Sequence, residues 1–448
     1  MKKKSSLLTE GKTKKVFATE DSGVVHIENK EDITAFDDPT KTKKIQSKAI
    51  SATTTTCRVF ELLRDADLPV AYIEQVSPTE FQTPKCEMIG LEFVVRRLGV
   101  GSFTQRRPDL AVGKGAKPHR FHRLVSEFFL KTTHGNLKRG DEVICDVLPV
   151  IDGKQLEDPL IFNPFEPEWR LLHPKKPLWE KGSELGITVM AKKVVDPLKG
   201  YIDDYPGWRE SIDNMDALGR KAFLVLEKAW ALLGYTLVDF KIEFGWTEDG
   251  RLVIADVIDN DSWRLKDPEF EEQSKQEFRD GKDLSLVEAK YLKVAGLVER
   301  FRVPRQALIL WRGSKDDTFP AYPQIAVVEV IDVVLSGHKQ TQACLTKLEE
   351  LQRDYPDGGV IIALVGMSNG LGPVLSSHTS WPVIGVPVST KEFPDDVWSS
   401  LRLPSQNPMA TVLSDKNAVL FALNILGQKN PAAYMTRQYA LEQLDTGY

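Results

Sequence analysis

Apolar and polar positions follow two different patterns along this chain, and the change falls near Val303-Pro304-Arg305. Before it, short apolar runs such as Val24–Ile27 and Val70–Ile73 sit between polar residues and predict strands. The stretch from Lys48 to Leu63 has helical spacing despite the β-branched Thr53–Thr56. Residues 213–233 predict an amphipathic helix with Leu218, Ala222, Leu226 and Ala229 on one stripe. A strand pair over 235–245 and 251–258 follows, joined by Trp246-Thr247-Glu248-Asp249-Gly250, and a second long helix covers about 285–301. Residues 104–205 are rich in Pro, Lys and Arg, with turn signals at Pro164, Pro167, Pro174 and Pro177. They read as loops around a few strands, lying over the surface of the first domain.

Beyond residue 303 the runs Ala307–Trp311, Val330–Leu335, Val360–Leu364 and Pro382–Val386 are apolar on both faces. That pattern predicts a parallel sheet covered by helices, here near 341–354, 395–401 and 416–426. The expected fold class is therefore α+β over 1–302 and three-layer α/β with a parallel sheet over 303–448. Ligands of such open sheets sit beyond the carboxyl ends of the strands. Gly313-Ser314, Ser336-Gly337-His338 and Gly366-Met367-Ser368-Asn369-Gly370 follow strand ends directly.

Composition changes this picture little. The chain has 448 residues, 42% hydrophobic and 27% charged, enough for two or three domains with large cores. A net charge of -5 argues against a general nucleic-acid or membrane-surface binder. Arg106, Arg107, His119, Arg120, His122 and Arg123 form the one basic cluster that could argue otherwise. The four cysteines, Cys57, Cys86, Cys145 and Cys344, form no CxxC pair and suit a reducing compartment. The basic N-terminus is cut off by Thr9-Glu10-Gly11-Lys12 before any apolar stretch, and no run is long enough to span a bilayer. A cytoplasmic protein is expected.

The chemistry concentrates in a few runs. Glu10-Gly11-Lys12-Thr13-Lys14 is a small basic loop but not a P-loop, because Ser6 stands where the first glycine belongs. Leu91–Arg97 followed by Gly99-Val100-Gly101-Ser102-Phe103 could clamp an anion with guanidinium and backbone N–H groups, or could be an exposed strand end with snorkelling arginines. Asp239–Gly245 and Ala255–Arg264 carry inward carboxylates and a lysine on two apolar strands. Glu243 and Asp256 could meet across the hairpin and share a cation, with Lys241 on the same face as Glu243; a surface ion-pair ladder is the alternative. His338, at a strand end, is a candidate acid–base group or a structural histidine.

Taken in order, Glu10–Lys14, Glu92–Arg96, Gly101-Ser102, Asp239–Gly245 and Asp256–Arg264 resemble the SAICAR synthetase family, the phosphoribosylaminoimidazole-succinocarboxamide synthases of purine biosynthesis. Ile258–Leu265 and Lys275–Asp280 look like the animal-type bifunctional form, while 130–205 matches poorly and looks expanded. The resemblance implies an ATP-binding α+β domain that phosphorylates the carboxylate of a carboxyaminoimidazole nucleotide (CAIR) and lets the amine of L-aspartate displace phosphate. It implies Lys12 and Lys14 on ATP phosphates, Glu243 and Asp256 on Mg²⁺, with Glu243 also at the ATP, and Lys241 near the transferred phosphoryl. Glu92, Arg96, Ser102, Asp261 and Arg264 would hold the nucleotide.

Beyond residue 303, Ser368–Val374 and Asp396–Ser405 resemble the AIR carboxylase domain fused to that synthetase in animals. The resemblance implies addition of CO₂ to C4 of aminoimidazole ribonucleotide (AIR) without biotin or ATP, with His338 moving the C4 proton and Ser314, Asp317 and Ser336 holding phosphate and ribose. It also implies a homo-octamer. This chain departs from the family's Ser-Ala-His-Lys-Gly at Gly337 and Gln340, and from its Gly-Arg-Ser-Asn at Met367. The segment 314–335 is short, with Pro320 and Pro323 where a crossover helix is expected. Two readings follow: a bifunctional purine enzyme, or an active synthetase whose degenerate carboxylase domain serves as an oligomerisation scaffold.

Overall fold

The computed structural model describes residues 4–11, 13–34, 42–44, 47–113, 115–132, 137–139, 142–145, 150–151, 154–155, 157–195, 207–274, 283–317, 325 and 327–444. Lys12, the run 275–280, Pro320 and Pro323 lie outside the described residues. The chain divides into two compact units, one of Met1–Arg64, Leu68–Phe301 and Glu442–Tyr448, the other of Asp65–Asp67 and Arg302–Leu441.

The first unit contains a five-stranded sheet and a nine-stranded one. The smaller is antiparallel, from β1 (Lys4–Glu10), β2 (Lys14–Thr19), β3 (Val24–Asn29), β4 (Glu74–Ser77) and β5 (Glu80–Pro84), in the order β1-β2-β3-β5-β4. In helix α1 (Lys48–Asp65) Thr53, Thr55 and Thr56 are buried, and Thr53 is also bonded: Asn29 donates to Thr53 Oγ1 at 2.8 Å, and Thr53 donates to the Ala49 carbonyl. The predicted strand at 70–73 is a single bridge from Val70 to Ile254, and the strand proper begins at Glu74.

The larger sheet comprises β6 (Cys86–Met88), β7 (Leu91–Leu98), β8 (Arg120–Leu130), β9 (Leu160–Phe162), β10 (Glu168–Leu172), β11 (Glu184–Met190), β12 (Thr236–Thr247), β13 (Leu252–Ala255) and β14 (Trp263–Lys266). Its order is β11-β10-β9-β8-β7-β12-β13, with β6 and β14 also pairing β12. The expected few strands of 104–205 do not lie over the surface among loops: β8 to β11 build almost half of this sheet. The polar residues of β8 hid its role. Leu124, Phe128, Phe129 and Leu130 are buried, whereas Glu127 is held by Arg96. The basic cluster is also divided, since Arg106 pairs with Glu127, Arg107 with Asp109 and Arg120 with Glu227. Helix α2 (Trp208–Leu232) packs its buried stripe on this sheet, and α3 (Leu284–Val298) starts at Asp283, whose carboxylate accepts from the Ser285 N–H.

The second unit is a parallel sheet of β15 (Ala307–Arg312), β16 (Glu329–Val334), β17 (Gly359–Val365), β18 (Val383–Pro387) and β19 (Ala410–Thr411), in the order β16-β15-β17-β18-β19. Alternate residues feed two cores. Leu308, Leu310, Ile362 and Ile384 pack with Ala418, Ala422 and Leu426 of α5 (Asp415–Leu426). Ile309, Trp311, Ile361 and Ala363 pack with Cys344, Leu348 and Leu351 of α4 (Thr341–Asp354). This three-layer arrangement is the one the doubly apolar strands predict. Strands β15 and β16 keep full parallel register, from Ala307↔Glu329 to Arg312↔Val334, despite the short connection between them. A helix the periodicity missed, α6 (Pro431–Leu444), begins with Asn430 accepting from the Ala432 and Ala433 N–H groups and proline at the first helical position.

Candidate active sites

Strand β12 organises the first site through its period of two. Val238, Phe240, Ile242, Phe244 and Trp246 are buried on one face, which leaves Asp239, Lys241 and Glu243 on the other. Register then selects their neighbours: Asp239 lies opposite Arg96 of β7 and Arg264 of β14, and both guanidiniums bond to it. Arg96, 4% exposed, is held from the far side by Glu127 at 2.9 Å. Gly101 adopts φ +64°, and a β-carbon there would lie 2.7 Å from Arg264 Nη2. The positive φ favours glycine there, and Ser102 follows it at the start of the short helix Ser102–Arg106.

Lys241 Nζ reaches Glu92 Oε2 at 2.7 Å. Glu243 lies opposite Ala255, and the next residue, Asp256, turns out of β13 with φ +68°, a conformation that aspartate tolerates better than most residues. Lys14 pairs with Asp256, and Lys131 pairs with Glu243. Burial pulls Lys14 down to about 8, against the opposing attraction of Glu243 and Asp259 and with the help of the Lys131 charge. Two carboxylates and two ammonium groups thus balance one another here. Among the described residues no group of three or more His, Cys, Asp or Glu is arranged to hold a metal. Glu243 and Asp256 present hard oxygen donors of the kind that would suit a magnesium ion.

The loop before β14 separates scaffold from site. Asn260 donates to the Gln273 carbonyl at 2.8 Å and accepts from Trp263 Nε1 at 2.9 Å, and the Asp259 carboxylate accepts from the Asp261 N–H at 2.8 Å. Asp261 then receives the Tyr291 hydroxyl and lies 3.3 Å from Lys48 Nζ. Lys48 is only 1% exposed. Burial alone would lower its pKa, but Asp261, Asp259 and Asp32 outweigh that and hold it above the ordinary lysine value.

Sequence reasoning did not single out Lys48, Lys131 or Asp158. Asp158 accepts from the Thr132 N–H and hydroxyl, both at 2.9 Å, and burial, with the Glu92 charge adding, pushes it up to about 6. Lys48 carried one usable signal, a lone cation among the buried residues of its helix.

In the second unit three loops converge at the carboxyl ends of β15, β16 and β17. The Ser314 N–H donates to Asp317 Oδ2 at 3.2 Å, and a β-carbon on Gly366 would lie 3.9 Å from Asp317 Oδ1. One on Gly313 would lie 4.0 Å from Ser336 Cα, and one on Gly370 would collide with the His338 ring. Ser314, Asp317, Ser336 and His338 are therefore brought together. The Asp396–Leu401 run holds the third loop: Ser368 N–H donates to Asp396 at 2.9 Å, Asn369 N–H to Ser399 at 3.1 Å and Asn369 Nδ2 to Ser400 at 3.1 Å. Of the departures, Gln340 accepts from the Ser336 N–H at 3.1 Å and so braces the histidine loop, whereas Met367 points to solvent, 59% exposed.

The profile of the SAICAR synthetase family matches residues 7–148 and 206–295, and that of AIR carboxylase matches 313–443. The chain is 33% identical over 443 residues to the probable multifunctional protein ADE2 of Caenorhabditis elegans, spanning 95% of this chain and 90% of that protein. It is 31% identical over 443 residues to the bifunctional phosphoribosylaminoimidazole carboxylase/phosphoribosylaminoimidazole succinocarboxamide synthetase of Homo sapiens, spanning 94% and 90%. Among solved structures, the phosphoribosylaminoimidazole-succinocarboxamide synthase of Ehrlichia chaffeensis aligns at 23% identity over 66% of this chain and 98% of its own, with a TM-score of 0.47. Both matched domains, in this order and along nearly the whole chain, mean that it belongs to the family of proteins in which SAICAR synthetase is fused to AIR carboxylase.

Proposed function

We propose that the second unit carboxylates AIR at C4 and that the first unit joins the resulting CAIR carboxylate to the amine of L-aspartate, with ATP going to ADP and phosphate. The observation that carries the reading is the single sheet face on which Glu92, Arg96, Lys241, Glu243 and Arg264 gather beside Lys14 and Asp256. Phosphoryl transfer asks for charge neutralisation and positioning, and this face offers both. Lys14, with Lys12, takes the ATP phosphates, and Glu243 contributes to ATP binding. Glu243 and Asp256 hold Mg²⁺, which supplies positive charge to the phosphate oxygens. Lys241 stands at the transferred phosphoryl group, where its ammonium, paired with Glu92, offsets the charge that develops. Glu92, Arg96, Ser102, Asp261 and Arg264 hold the nucleotide; the Asp239 bridge keeps the two guanidiniums close.

In the second unit, C4 of the electron-rich ring attacks CO₂, a C–C bond forms, and His338 takes the C4 proton as aromaticity returns. Ser314, Asp317 and Ser336 hold phosphate and ribose. The reaction needs no biotin, so avidin leaves it unchanged. The protein acts in the cytoplasm on small molecules, with neither nucleic acid nor membrane as partner, and assembles as a homo-octamer, which light scattering of the purified chain tests. Exposed Phe393, Trp398, Leu401 and Leu413 in the second unit supply apolar surface for that assembly. The direct test of the site is Asp256→Asn, expected to abolish ATP-dependent ligation while leaving carboxylation intact. Near-normal ligation in that variant would remove the metal assignment.

A further inference from the structure

We propose that Gly337 and Gly370 are positioning residues for His338, together forming a side-chain-free seat on which the imidazole lies flat. The proposal rests on the reading of His338 as the group that moves the C4 proton. A β-carbon on Gly370 would lie 2.2 Å from His338 Nε2, 2.5 Å from Cε1 and 2.6 Å from Cδ2. Near-equal distances to a ring nitrogen and both carbons beside it put that point above the ring face, not off its edge. The face therefore rests on the glycine backbone, while the nitrogens, whose lone pair and N–H lie in the ring plane, keep their edges open for proton exchange. His338 is exposed, consistent with an edge facing the ligand side.

Gly337 makes that seat possible. A β-carbon there would lie 2.7 Å from Leu371 Cα, 2.9 Å from Leu371 N and 3.0 Å from the Gly370 carbonyl oxygen. These are backbone atoms that cannot swing aside, so only glycine lets the histidine loop descend onto the 370–371 peptide. Both walls are also braced. Thr341 Oγ1 donates to the Gly337 carbonyl at 2.6 Å, and the Gly372 N–H donates to Asn369 Oδ1 at 2.9 Å. With the walls fixed, a methyl group placed between them displaces the imidazole. Gly337, read from sequence as a departure from the family's alanine, becomes a requirement of this particular loop packing.

The test measures carboxylation by the full-length chain carrying Gly370→Ala, Gly337→Ala or His338→Asn, with ligation by the same preparation as reference. Misplacing a proton-transfer group costs on the order of 10²-fold in kcat. Gly370→Ala is expected to show that loss with KM for AIR within about threefold of wild type, and to lose the imidazole limb of the kcat–pH profile. Wild-type kcat with an unchanged pH profile in Gly370→Ala would overturn the seat. So would a loss of kcat matched by an equal loss of AIR affinity, which would assign the glycine to loop folding. His338→Asn separates the two layers of argument. If it retains carboxylation, the role of His338 falls and the seat with it; if it is inactive while Gly370→Ala is not, the seat alone falls.

Discussion

Replacing Asp239 by asparagine tests the charge balance of the synthetase face. Asp239 is 4% exposed and bridges Arg96, also 4% exposed, to Arg264. With Arg106 and Glu127 the cluster holds three guanidiniums against two carboxylates, and Asp239→Asn leaves three against one. Removing one partner of a buried ion pair costs about 3–5 kcal/mol, because the remaining charge stays desolvated. Arg96 keeps Glu127 and Arg264 is partly solvated, so the lower end, about 3 kcal/mol, applies here. With a urea slope of about 3 kcal/mol per molar, the midpoint of the first unit falls by about 1 M. Buried charges are little screened, so the shift persists in 1 M NaCl, about where exposed pairs lose their effect. Inorganic phosphate recovers more stability in the variant than in wild type, since an anion then restores the balance. A midpoint shift below about 0.3 M, or one abolished by salt, would refute the argument that Asp239 sits in a buried charge cluster.

Lys14, pulled down to about 8 by burial, predicts that KM for ATP rises about tenfold between pH 7 and pH 9 as its ammonium is lost, and that Lys14→Arg flattens this rise; a flat wild-type profile counts against phosphate contact. Asp158, raised to about 6, binds its proton more tightly folded than unfolded, so its contribution to stability is fully present below about pH 4 and is lost as pH rises through 6. Asp158→Asn removes that component from a pH series of urea midpoints; an unaltered slope between pH 4 and 6 contradicts the assignment. Gly219→Ala puts a methyl 2.1 Å from Cε1 of the fully buried Phe93, so overpacking of about 1–3 kcal/mol exceeds the roughly 1 kcal/mol gained in helix propensity. The variant melts lower, and Phe93→Leu in the same chain restores part of the loss; a variant melting above wild type refutes the packing argument.

Periodicity made the second unit legible almost completely, because strands covered on both faces write continuous apolar runs such as Val360–Leu364. The same logic failed over 104–205. Strand β8 carries Arg120, His122, Arg123 and Glu127, and a strand whose polar side chains are neutralised by neighbours looks, in one dimension, like a solvated loop. Site residues sharing an element were visible from spacing alone, as with Asp239, Lys241 and Glu243 on one strand face. Those supplied by distant elements were not: Lys48 and Lys131 reach Asp261 and Glu243 only through tertiary folding. Asp239 itself counts among the inward carboxylates of 239–245, but only strand register reveals it as the bridge between two arginines. The departures at Gly337 and Gln340 likewise acquire meaning only when the loops are seen against each other.

One purified sample supplied with AIR, bicarbonate, ATP, Mg²⁺ and L-aspartate tests the central claim most directly, with CAIR, SAICAR and ADP followed together. The account predicts SAICAR and ADP in equal amounts, with CAIR formed at once when ATP is left out and neither product formed by His338→Asn unless CAIR is added. SAICAR formed from added CAIR but never from AIR would contradict it, leaving a synthetase joined to a silent domain.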